Sequence, residues 1–167
     1  YNDRVSADYN RRMEMERADE AVSMHVAGSA CSQAVFTVFA DELGLEPSVA
    51  HRISGGFGGG IGRMGLTCGA VTGGIMALSL ALGATDSADQ DSKLALYQVV
   101  AEYMERLKAF KGSIECRVLL EGVDLWTEEG RDMVKARQLS EIVCNSMIHK
   151  AVEEAERILN EKGRFGV

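Results

Sequence analysis

From Met64 to Thr85 the chain runs 22 residues without a charged side chain. That length is enough for a helix to cross a bilayer. Five glycines with Thr67, Thr72, Ser79 and Thr85 dilute its apolar character, however. Beyond Arg63 it also lacks flanking cationic anchors and aromatic belts. A helix without a polar face can equally form the buried centre of a bundle. Gly69, Gly73, Ala77 and Ala81 recur at every fourth position, a small-residue stripe that lets neighbouring backbones approach closely. The expectation is therefore no membrane span, but a central helix from Cys68 to about Leu82, capped by Thr67.

Helical spacing also dominates the remaining segments. A first helix is expected from near Tyr9 to Val26, with Ala18, Ala21, Val22 and His25 on one face. A second runs from Ala30 to the terminating Gly44, with Cys31, Ala34, Val35, Val38 and Phe39 inward. Pro47 opens a short third helix that ends by Ser54. Asp89 to Phe110 forms another, with Leu94, Tyr97, Val100, Ala101, Met104 and Leu107 inward, and Ser113 caps a short segment through Leu120. Residues 122–130 form a connection anchored by Trp126. One long helix then extends from Asp132 to Glu161 along Leu139, Ile142, Val143, Met147, Ala151, Ala155 and Ile158. The expected fold is all-α: one domain, residues 1–167, with a compact, bundle-like array of about six to seven helices around the Gly/Ala-faced centre. The glycine-faced helix also permits a homodimeric contact.

The net charge of −7 repels phosphate backbones and argues against nucleic acid as a partner. The acidic runs Glu14 to Glu20 and Glu153 to Glu156 read as solvated helix faces. Tyr1 to Arg12 is polar and lacks the apolar core of a secretory signal. The expected location is cytoplasmic; because the chain begins at Tyr1 rather than Met, N-terminal processing stays open.

The four cysteines, Cys31, Cys68, Cys116 and Cys144, are separated by 37, 48 and 28 residues. No Cys-x-x-Cys pair is present, so neither a zinc ribbon nor a thioredoxin site is indicated. Cys31, Cys68 and Cys116 each fall near a predicted helix start, where free N–H groups and the helix dipole favour thiolate over thiol. Thiolate is the form that binds metal, attacks disulfides or is oxidised. Cys144 is placed mid-helix at the edge of the buried face. Against this stands the ordinary role of free cysteine as a small buried hydrophobe.

Taken together these segments resemble a known family. Cys68-Gly69-Ala70-Val71-Thr72-Gly73, within Gly55 to Gly74, is similar to the Cys-Gly-Ala-x-x-Gly motif of the redox-active family written C_GCAxxG_C_C. Cys31-Ser32-Gln33-Ala34-Val35 fits its first cysteine segment and Gly112-Ser113-Ile114-Glu115-Cys116-Arg117-Val118-Leu119-Leu120 its third. Cys144 fits the fourth. The resemblance spans residues 15 to 155 and implies that all four cysteines act as one redox or metal unit. That family in turn resembles part of the split-Soret cytochromes c. Covalent haem is nevertheless not expected, because the chain has no Cys-x-x-Cys-His sequence.

Gly60-Ile61-Gly62-Arg63-Met64-Gly65 matches Gly-x-Gly-x-x-Gly, but no convincing strand precedes it and a phosphate-loop Lys-Ser/Thr is missing. A steric role suits it better. Gly58, Gly59, Gly60, Gly62 and Gly69 let the backbone pass close to a cofactor or helix, and successive N–H groups with Arg63 can form a nest for an anionic centre. His25, His51 and His149 are scattered; His25 alone faces the region of Cys31. No Ser-His-Asp or His-Glu-x-x-His arrangement exists.

Three functions follow. The thiolates hold a metal centre, an iron–sulfur cluster first, and move electrons to an electron-transfer partner. Alternatively they form a metal-free thiol–disulfide relay or sensor. In the third case the protein is a helical interaction module with inert cysteines.

Overall fold

The structure is a computed structural model that describes residues 16–165. It is all-α: the only extended pairing among these residues is an isolated antiparallel bridge between Thr67 and Glu115. The described part of the first helix, α1, covers 16–26, and its expected start near Tyr9 lies outside the described residues. There follow α2 (Cys31–Ala40), α3 (Pro47–Ser54), a 3-10 turn (Gly55–Phe57), α4 (Gly69–Leu82) and α5 (Gln90–Lys111). After α6 (Cys116–Leu119) and α7 (Glu128–Ala136) comes a π-helical turn (Ser140–Cys144) that leads into α8 (Asn145–Glu161).

Local chemistry sets most of these ends. Pro47 occupies the first turn of α3, and the Glu46 carboxylate accepts the Val49 N–H. Asp89 accepts the Ser92 N–H at the start of α5, which stops at Gly112 with φ of 82°. The Thr127 hydroxyl accepts the Gly130 N–H at the start of α7.

As expected, α4 is central, packed against α2, α5 and α8. Its glycines explain how. A Cβ on Gly73 would come within 2.7 Å of the Ser32 carbonyl oxygen on α2, and one on Gly74 within 2.0 Å of the Tyr103 hydroxyl on α5. The principal core joins Ala18 and Ala21 of α1, Val35 and Phe39 of α2, Val71 and Leu78 of α4, Tyr103 and Leu107 of α5, and Met147 to Leu159 of α8. A smaller core gathers Cys116, Leu120, Val123 and Leu139, with Leu125, Val134, Val143 and Cys144 against it.

Several expectations are corrected. Thr67 does not cap α4; it pairs with Glu115, and Cys68 itself is the capping position. The inward face of α5 is Val99, Tyr103 and Leu107, turned by about one position, so Leu94 and Tyr97 are exposed. Trp126 is 69% exposed, so its ring does not anchor the connection. The long last helix is broken: α7 ends at Ala136, Gln138 has φ of 53°, and Ile142 is 58% exposed.

The acidic run on α8 is not a solvated face either. Glu154 and Glu156 are 5% and 3% exposed, and each is paired. Glu154 meets Arg106 at 3.0 Å and Lys150 at 2.8 Å. Glu156 meets Arg17 at 2.6 Å, whose guanidinium lies against the stacked rings of Phe39 and Phe165. This clamp ties α1 to α8 with opposite charges that share a desolvated site.

Candidate functional site

Four separate elements bring the cysteines to one cavity of about 670 Å³. Cys31 is the first residue of α2, Cys68 precedes α4, Cys116 is the first residue of α6, and Cys144 joins the π turn to α8. Cys31 and Cys68 belong to the principal core and its edge, Cys116 and Cys144 to the smaller core and its edge. The cavity therefore lies on the seam between the two cores.

Cys68 and Cys116 are held together by main chain. The Cys68 N–H donates to the Ile114 carbonyl at 2.8 Å, and the Cys116 N–H donates to the Leu66 carbonyl at 2.7 Å. Cys31 is brought in by glycine: a Cβ on Gly69 would lie 3.1 Å from the Cys31 Cβ. Cys144 is delivered by the π turn, whose extra residue re-aims the chain just before α8.

The glycine loop acts sterically. Residues 59–63 all have positive φ, between 59° and 70°, including the non-glycines Ile61 and Arg63. The N–H groups of Ile61, Gly62, Arg63, Gly65 and Leu66 donate to the carbonyls of residues 56–60, so much of the loop's donor capacity is spent inside the loop. A Cβ on Gly60 would strike the Cys116 Cβ at 2.6 Å. Gly58, Gly59, Gly62, Arg63 and Gly69 line the cavity, while Gly60 is packed against Cys116.

The electrostatics overturn the helix-dipole expectation for most of the thiols. Burial pushes the Cys68 thiol up to about 11 and that of Cys116 up to about 12, so loss of water outweighs the helix starts. Cys31 and Cys144 behave as a pair. The hydrogen bond between them raises Cys31 well above the usual thiol range, with burial adding to it, and lowers Cys144. Cys144 is thus the one of the four whose thiolate is favoured over its ordinary level, and the one for which the sequence offered no helix start.

His25 completes the cluster. Its Nδ1–H donates to Asn145 Oδ1 at 2.8 Å, which leaves Nε2 facing the Cys31 Sγ at 3.6 Å. His51 instead bonds Ser29 and Gln33, and His149 lies beside Asp19 and Glu153, away from the cysteines. Sequence reasoning missed Arg131 and Lys135, which line the cavity from α7. Asn145 was missed too, and its only signal is adjacency to Cys144.

The family described as "Putative redox-active protein (C_GCAxxG_C_C)" matches residues 29–158, a span that contains all four cysteines. The chain belongs to the C_GCAxxG_C_C family. No curated protein and no solved structure matches it. In this C_GCAxxG_C_C protein the motif cysteine, Cys68, sits at the seam, and the motif glycines Gly69 and Gly73 are the contact points with α2. All four cysteines are free thiols. Among the described residues no group of three or more His, Cys, Asp or Glu is placed to hold a metal ion. No helix among them is long and apolar enough to cross a membrane.

Proposed function

We propose that Cys31, Cys68, Cys116 and Cys144 form one redox site that binds an iron–sulfur cluster and passes electrons to a protein partner. The observation that carries this is the shared cavity at the seam, lined by four thiols and, among the described residues, by no carboxylate. A soft, all-sulfur donor set of four suits an iron–sulfur cluster. A bound cluster would supply one-electron redox chemistry.

The chain's own residues prepare the site. The main-chain pairing of residues 66–68 with 114–116 fixes two sulfurs. Gly60 and Gly69 allow close approach of the others. Burial of Cys68 and Cys116 excludes water and keeps their free thiols protonated near neutrality, so metal uptake must release protons. Four free thiols also suit a reducing compartment such as the cytoplasm.

One observation favours a second function, a thiol–disulfide relay: Cys144 is activated by its hydrogen bond with Cys31. Anaerobic purification separates the two. Iron and sulfide in stoichiometric amounts, with a visible absorption spectrum, support the cluster. A colourless protein whose thiols are lost and regained reversibly supports the relay and rejects the cluster.

A further inference from the structure

The cavity holds more than sulfur. Arg63, Arg131 and Lys135 line it, and no Asp or Glu among the described residues does, although the chain has 25 acidic and 18 basic residues. Glu141 is near enough to act on Cys144 but is not part of the wall. Six cations elsewhere, Arg17, Arg106, Arg117, Arg137, Lys150 and Arg157, each have a carboxylate partner, whereas Arg52, Lys93, Lys108, Lys111, Lys162 and Arg164 are exposed to solvent without one among the described residues. Arg63, Arg131 and Lys135 have none among the described residues. The guanidinium of Arg131 is moreover held in place, since Nη1 donates to the carbonyls of Leu125 at 3.1 Å and Trp126 at 2.8 Å. Leu125, Val134 and Val143 add an apolar wall.

An unpaired cationic trio beside an apolar wall is complementary to a ligand with an anionic head and an apolar body. The volume, about 670 Å³, lies in the range of small-molecule sites. We infer that this cavity binds a small organic anion, its charged group met by Arg63, Arg131 and Lys135 and its body by Leu125, Val134 and Val143. That the anion sits next to a redox centre rests on the function proposed above; the anion site itself stands on the cavity alone. The overall negative charge repels large polyanions, and the three local cations select a compact one.

The test is calorimetric titration of the anaerobically purified protein with 2-naphthoate and with its neutral counterpart 2-naphthamide. Naphthoate is expected to bind once per chain, and naphthamide about ten-fold more weakly. Lys135 and Arg63 are exposed, so Lys135→Gln and Arg63→Gln leave the fold intact. Each should weaken naphthoate by about three- to ten-fold and leave naphthamide unchanged. Equal binding of the two probes, or naphthoate binding indifferent to both substitutions, overturns the inference. So does loss of iron and sulfide in the variants without any change in naphthoate affinity, because the cations would then serve the cluster alone. A protein with no iron that still binds naphthoate in a charge-dependent way rejects the cluster and keeps the anion site.

Discussion

The Nε2 atom of His25 and the Sγ of Cys31 stand 3.6 Å apart, and Asn145 fixes the imidazole so that this nitrogen is the acceptor. Cys31 has one S–H and two acceptors, the His25 ring and the Cys144 sulfur. His25→Ala removes one of them and leaves the proton to Cys144. One hydrogen bond contributes about 0.5–1.5 kcal/mol. Alkylation of Cys144 by iodoacetamide in metal-free protein should therefore quicken by about three-fold. An unchanged rate would show that Nε2 does not compete for the proton.

The four thiols should react in a fixed order. In metal-free protein near pH 7, Cys144 is alkylated first, because its thiolate is favoured, and Cys68 and Cys116 last. Timed quenching with peptide mass spectrometry reads the order; early modification of Cys68 would contradict the burial argument. Stability follows the same groups. Thiols near 9.0 in the unfolded chain rise to about 11 and about 12 in the fold. The folded state then binds more protons, so their contribution is complete below pH 9 and is lost as pH rises through the folded values. The melting temperature of metal-free protein should fall over that window.

Cys68→Ser separates site from scaffold. Serine is a good residue at the helix-capping position that Cys68 occupies, so α4 and the far-ultraviolet dichroism should persist. The visible spectrum of the loaded protein, or the reversible thiol couple, should vanish. Retention of either would remove Cys68 from the centre of the site.

Gly60 and Gly62 have similar φ, 70° and 59°, but different surroundings. A methyl group at 62 meets nothing within 4 Å, so Gly62→Ala should lose only the backbone strain, about 1–2 kcal/mol. At 60 it meets Cys116, Leu66 and Gly65, which adds about 1–3 kcal/mol of overpacking. Urea unfolding of the two variants should differ by that increment, and Gly60→Ala alone should displace Cys116 and lower iron content.

Where the sequence carried a local physical signal, the fold was legible. The small-residue stripe placed α4 at the centre, Pro47 and Gly112 marked helix ends, and a helix start near Cys31 was readable, whereas the short helix expected after a Ser113 cap begins instead at Cys116, with Glu115 at the capping position. Three things had no such signal. The break before α8 occurs at Gln138, neither glycine nor proline, and the π turn that aims Cys144 leaves no compositional mark. On α5 apolar residues occur on both flanks, so the choice of Val99, Tyr103 and Leu107 over Leu94 and Tyr97 depends on the fit of Tyr103 against Gly74. Cys68 and Cys116 are at helix starts as expected, yet their protonation is set by burial, a property of the assembled cores.

The run of positive φ from Gly59 to Arg63 has a further meaning for chemical synthesis. A D-amino acid prefers the mirror image of the conformations that L-residues prefer. D-Alanine at position 62, where the space is open, would sit in its own favoured region and restrict the unfolded chain, whereas L-alanine there is strained. Semisynthesis could thus tighten this stretch with a residue the ribosome does not supply, and the cavity wall beside Arg63 would become stiffer without a change in any of the four sulfurs.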